Sequence, residues 1–198
     1  MWKWCNVERL EEGFVMSSDR IVAWHFLTND GLDRDGNKVE IGQTLSVEGP
    51  LTICEHGLHW SERLIDALRY APGSVLCRVE AWGDVQRESD KGCTRYRKVL
   101  AKANIGPILH EFSCRVAEQA LKDGGVKDER SWAAINTKRR WLAGDATDDK
   151  LAAAWDAAEA AVWAAAEAAE AAWDRQNELL TAMVMELEEF ASLKGGDA

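Results

Sequence analysis

Proline and paired cysteines are scarce in this chain, and the familiar catalytic signatures are missing. Of 198 residues only Pro50, Pro72 and Pro107 are proline, so nothing after position 107 forces a helix to break. The five cysteines, Cys5, Cys54, Cys77, Cys93 and Cys114, are odd in number and contain no CxxC pair. That usage excludes a disulfide framework and reads as reduced, mostly buried thiols. No apolar run is long enough to span a bilayer, because the Ala-rich stretch around Val162 is broken by Glu159, Glu167 and Glu170. The first residues, MWKWCNVERLEEGF, lack the apolar core of a secretion signal, so a cytoplasmic location is expected and no membrane partner. There is no GxSxG, no phosphate-binding Gly loop and no HExxH. Asp66, Glu80 and Asp90 are available carboxylates, but their spacing makes no catalytic pair. Basic charge is also short: the net charge of −10 argues against nucleic acid and favours, if anything, a basic protein partner.

What is present divides the chain. Ile21 to Leu27 is β-branched and aromatic and reads as a buried strand. NDGLDRDGN (29–37) is a turn. A calcium loop on Asp33, Asp35 and Asn37 fails, since Lys38 and Thr44 stand where the EF-hand needs Gly and Glu. Val39–Ile41 and Thr44–Val47 are short extended pieces. Ser61 is placed as the N-cap of a helix reaching about Tyr70, which Pro72-Gly73 stops. Ser74–Trp82 alternates as a half-buried strand, and Thr94–Ala103 is a further strand whose Arg95, Arg97 and Lys98 form a basic spot. Helices follow over Ile108–Lys122 and Ser131–Ala143, the second closed by Gly144.

From about Asp149 to about Leu193, capped by Asp148 or Asp149, the sequence predicts one long helix without Gly or Pro, rich in the best helix former. At about 1.5 Å per residue it would span roughly 65 Å. It is amphipathic, with Trp155, Val162, Ala166, Trp173, Leu180, Val184 and Leu187 on or near one side and acidic residues on another. Trp155, Trp163, Trp173, Leu180 and Leu187 are the residues that would meet a partner, either an identical helix in a homo-oligomer or another protein. The alternative is that the preceding helices, with Trp132 and Trp141, fold back over the stripe. The expected class is therefore α+β: a small mixed sheet with one or two helices over 1–105, a helical connector over 106–147, the long helix over 148–194 and a disordered tail over 195–198.

The densest polar cluster is Cys54-Glu55-His56-Gly57-Leu58-His59. Cys54, His56 and His59 are zinc-ligand types but lack a fourth partner nearby, so the simpler reading is a turn in which hydrogen bonds satisfy the histidines. His25, between Trp24 and Phe26, either alternates outward or faces a cleft beside His59.

AWHFL (23–27), CEHGLHWS (54–61), DALRYAPG (66–73), LCRVEAWGDV (76–85) and Asp90-Lys91 together resemble a family of uncharacterised phage and actinobacterial proteins that carry Ala-rich helical tails with scattered Trp. The resemblance covers about half the chain directly and implies a role in host takeover or counter-defence rather than a known activity. The order WH, GLHWS, a helix ending in Tyr and VLCRVEAWGDV also resembles the poly(ADP-ribose) polymerase-like ADP-ribosyltransferases. That resemblance implies His25 and His59 at NAD-contacting positions. Phe26 stands where that family has Gly, and no Glu stands near Cys93–Arg95 where its catalytic Glu belongs. It therefore implies NAD or ADP-ribose binding without transferase activity, through His25, His59, Tyr70, Arg95 and Arg97.

The leading expectation is a non-enzymatic interaction protein that binds a host protein or its own copy, with a counter-defence inhibitor as its sharpest form. The nucleotide-binding domain and a virion structural or assembly protein are the alternatives.

Overall fold

A computed structural model describes residues 20–154 and 173–193. The chain divides into two units, one comprising residues 1–105 with 184–198 and the other residues 106–183.

The first unit is built on a five-stranded sheet: β1 (Ile21–Leu27), β2 (Thr44–Ser46), β3 (Leu58–Trp60), β4 (Val75–Arg87) and β5 (Gly92–Asn104). The order is β1-β4-β5-β2, with β3 also pairing β5. Every pairing between these strands is antiparallel, so the sheet is not mixed. The long β4–β5 hairpin supplies the middle of the sheet, and α1 (Leu64–Leu68) joins β3 to β4, which do not pair with each other.

β4 and β5 are each thirteen residues, longer than the alternation alone suggested: toward the hairpin turn β4 continues as exposed ribbon, whereas the first residues of β5, Gly92–Thr94, are buried. Their register shifts between Arg78 and Val79 and again between Trp82 and Val85. Such irregularities bend a ribbon and increase its twist.

One face of the sheet collects Ile21, Ala23 and Leu27 of β1, Cys77, Val79 and Ala81 of β4, and Val99 of β5, with Val39 and Trp60. A neighbouring cluster joins Leu45, Val47, Leu51, Leu58 and Cys93. On β1 the alternate residues Trp24 and Phe26 are equally buried. Phe190, fully buried, packs its ring 5.8 Å from Trp24. Both faces of β1 are therefore covered, which is why IVAWHFL reads as a continuous apolar run.

Several expectations are corrected. Ser61 caps no helix: it exchanges both backbone hydrogen bonds with Trp24, at 2.8 and 3.0 Å, and extends the ladder beyond β3. α1 instead begins after Arg63, whose side chain makes no cap bond. Val39–Ile41 is no strand, although Val39 is fully buried as a core plug. GLHW, placed in a turn, contains β3. Gly92 makes this possible, because a Cβ there would sit 2.5 Å from the Trp60 ring.

The second unit contains α2 (Gly106–Asp123) and α3 (Glu129–Leu142). Asp128 caps α3 through the Arg130 amide at 3.0 Å. Cys114, Ala120, Leu121 and Ile135 form the contact core. Arg139 bridges Glu111 and Glu118, tying α3 to α2.

Helix resumes over 148–154, and Thr147 accepts the Lys150 amide at 3.4 Å. Asp148 is instead the acceptor for the Trp141 indole, at 2.6 Å. A further helix runs Trp173–Val184 and a short one Glu188–Ala191. The helix expected to continue to Leu193 thus ends at Val184. Leu187 turns extended at φ −69°, ψ 140°, and the next turn delivers Phe190 to the sheet. Burial of that one aromatic outweighs continuing an exposed helix.

Among the described residues no helix is long and apolar enough to cross a membrane.

Candidate functional site

The chain's least compensated charge lies inside the sheet domain. Arg97, in the middle of β5, stands between Ala81 of β4 and Leu45 of β2 in the ladder. Strand alternation places it in line with Cys93 and Val99, so its side chain enters the core, where it is 3 % exposed. Nη1 donates to the backbone oxygen of His59. Nε is buried and has no partner. Among the described residues no carboxylate lies within ion-pair distance of this guanidinium. Asp33 acts on it only at longer range, and its Oδ1 already accepts the amides of Asp35 and Asn37 at 2.9 and 2.8 Å. Burial accordingly lowers the Arg97 pKa to about 10. An Nη1 contact leaves the opposite edge, Nε with Nη2, unpaired: two parallel N–H donors spaced to match two oxygens of one anion.

Two histidines share its surroundings. His25 pairs with Cys77 across β1–β4, and His59 pairs with Cys93 across β3–β5. Each imidazole keeps part of its area open to solvent, so the guanidinium is the buried member of the group. His25 is nevertheless enclosed at longer range, and desolvation, then Arg97, then His59 hold its pKa well below the usual value. His59 is lowered by desolvation and by Arg97 and Arg34.

The two rings differ in what binds them. His59 Nε2 accepts the Cys54 amide at 2.8 Å, which requires that nitrogen to be unprotonated and so holds the ring neutral. Cys54 holds the turn in an unusual left-handed conformation, φ 69°, and its carbonyl accepts Arg34 Nη1 at 3.2 Å. His25 makes no side-chain hydrogen bond among the described residues.

The sequence-derived ligand set thus splits. His25, His59 and Arg97 come together. Arg95 does not join them: its donors go to Asp84 at 2.7 and 3.0 Å and to the carbonyls of Val47 and Gly49. Tyr70 also stands apart. It donates to Asp90 at 2.6 Å, and its link toward His59 runs only through Lys91, which contacts both the Tyr70 oxygen and the Cys54 thiol.

Cys54, His56 and His59 assemble no metal site, and the described residues contain no cluster of three potential ligands. His56 Nε2 donates to the Glu48 carbonyl at 2.6 Å, and the nitrogen of His59 that could face a metal is occupied by the Cys54 amide.

Of the expected partner-binding residues, Trp155 and Trp163 lie outside the described residues. Leu180 is fully buried within the chain and is not offered to a partner. Trp173 and Leu187 are half-buried.

Lys102 escaped the sequence reading of the site. Lys102 stands opposite Cys77 and is held by the Val39 carbonyl and, at 3.4 Å, by Glu40. The extra residue in β5 near Leu100 shifts the alternation, so period-2 counting from Arg97 does not reach it.

Residues 21–111 match the model of a family described as a domain of unknown function, DUF7666. No curated protein and no solved structure matches the chain.

Proposed function

We propose that the sheet domain is a binding module for an anionic small molecule, held by the Nε/Nη2 edge of Arg97 with His25 beside it. One observation carries this reading: a guanidinium 3 % exposed, bonded to a single carbonyl, with a buried N–H that has no acceptor. Burying an uncompensated charge costs several kcal/mol, and structures retain such groups chiefly where a ligand completes them. Burial first and the positive field of Arg97 second keep both imidazoles neutral, and that field favours negative charge. Phosphate and carboxylate groups both match two parallel donors. Nucleotide-type ligands such as ADP-ribose fall within this class as phosphate bearers. The Arg97 group joins a cation to neutral imidazoles, an arrangement suited to holding an anion, and the reading is therefore binding.

The test is a thermal-shift titration of the full chain with inorganic phosphate, acetate, NAD⁺ and ADP-ribose, beside Arg97→Met. A ligand at about 100 times its dissociation constant stabilises by about 2.7 kcal/mol, which moves the melting temperature by several degrees. The reading requires that at least one of these anions stabilise wild type and leave Arg97→Met unmoved. Equal shifts in both proteins, or none in wild type, would refute it.

A further inference from the structure

Resting on the anion reading above, we infer that the ligand binds together with a proton, and that His25 is the group that takes it. The cluster contains one imidazole that can change its protonation state without breaking a bond. Protonating His59 would eject the Cys54 amide from Nε2, at 2.8 Å, and release the turn that amide anchors. His25 has neither ring nitrogen committed, and it lies on the β1 face shared with Ala23 and Leu27 and directed at the Arg97 side of the sheet.

The groups facing it explain why it is neutral when the site is empty. Cys77 opposes it on β4, a thiol that burial pushes up to about 11 and therefore keeps uncharged. Arg97 and Lys102 of β5 are cations, and His59 of β3 is neutral. Among the described residues, Asp33, in the loop after β1, acts on Arg97 at long range, and Glu40 meets Lys102 at 3.4 Å. An oxyanion on the Arg97 edge cancels the main charge acting against imidazolium at His25 and adds an acceptor on the same sheet face. Both changes favour imidazolium. The balance is simple: neutral His25, one proton from solvent and the anion become a bound anion hydrogen-bonded to imidazolium.

By linkage, affinity then strengthens as pH falls, by at most about tenfold per pH unit between the pKa of His25 in the empty and the filled site. Sulfate is the suitable probe, because it stays a dianion through the neutral range and cannot supply or take the proton itself. Isothermal titration calorimetry of sulfate into the full chain, near pH 6 in two buffers of different ionisation enthalpy, reads the proton directly. Wild type should take up close to one proton per sulfate, and the dissociation constant should weaken toward pH 7.5 with a slope approaching tenfold per unit. His25→Gln, which keeps a neutral polar side chain, should still bind sulfate, with no proton uptake and a flat pH profile.

Sulfate binding by wild type without proton uptake overturns the inference and leaves the anion site standing. So does uptake that persists in His25→Gln, which would assign the proton elsewhere. Absence of binding by any oxyanion removes the anion reading itself, and this inference with it.

Discussion

Replacing Arg97 with methionine should abolish anion binding while leaving the fold at least as stable. The magnitude follows from the burial of the guanidinium. Burial lowers its pKa to about 10, and at neutral pH the folded state therefore carries a penalty of about 3 kcal/mol for keeping the charge. The sign is fixed: for a group whose folded pKa is depressed, the cost is present wherever both states are protonated, as here. Against this, Met loses a charge-assisted bond to the His59 carbonyl and leaves that oxygen unpaired, a loss of about 1–3 kcal/mol. Met keeps the unbranched stem that packs between Ala81 and Leu45. The sum is a change between neutral and about 2 kcal/mol stabilising. Urea denaturation with a shared slope would show it as an unchanged or raised midpoint. If Arg97 were instead a structural tie, its removal would cost about 3 kcal/mol or more, as breaking a compensated buried charge does. A fall of that size would refute the reasoning.

Acid should weaken the sheet domain early. His25 and His59 both have lowered pKa values in the fold, so stability present above the usual histidine value is lost as pH falls through about 6.5, at up to about 1.4 kcal/mol per pH unit for each ring. Denaturation midpoints measured at about pH 7.5 and 5.5 check this, and His25→Gln should flatten the difference. Gly92→Ala should cost about 2 kcal/mol or more, because its Cβ would stand 2.5 Å from the Trp60 ring inside a closed strand pair; tryptophan fluorescence during urea unfolding reads it. Arg139→Ala should cost only about 1 kcal/mol in the helical unit, since the Glu111 and Glu118 bridges are a third exposed and screened by water. That contribution is present above the ordinary carboxylate range and disappears as pH falls through the lowered Glu111 and Glu118 values, which a chemical melt near pH 3 would register.

The strands were legible wherever burial on one or two faces imposes a pattern. IVAWHFL is apolar at every position but His25 because Leu27 and Ala23 meet one layer while Trp24 and Phe26 meet another. LHW was hidden because three residues give alternation too little length, and because Ser61 looks like a helix cap while its backbone is spent on Trp24. The end of the last helix was hidden for a different reason. Nothing local in VMELEEF forbids helix; the break at Leu187 is set by where Phe190 must go.

Whether His25 turns outward or faces a cleft beside His59 was left open by the sequence, and Arg97 was implied by resemblance alone, within a basic spot shared with Arg95 and Lys98. Strand alternation separates only Lys98 from Arg97; Arg95 shares the phase of Arg97 and Val99 but turns to Asp84 opposite the bulge of β4, while Arg97 enters the core. The signal was present in the phase relative to Val99, but an arginine in phase with core valines contradicts the ordinary expectation that the charged residue is outside.

The most direct test of the central claim is the ¹⁵N–¹H resonance of the Arg97 Nε, assigned by its absence in Arg97→Met, followed as sulfate is added to the full chain. The account predicts a saturable shift of that resonance and slowed exchange of its proton with water, as the buried donor gains its acceptor. A resonance that stays put while sulfate rises to saturating concentration for other sites on the surface would contradict it.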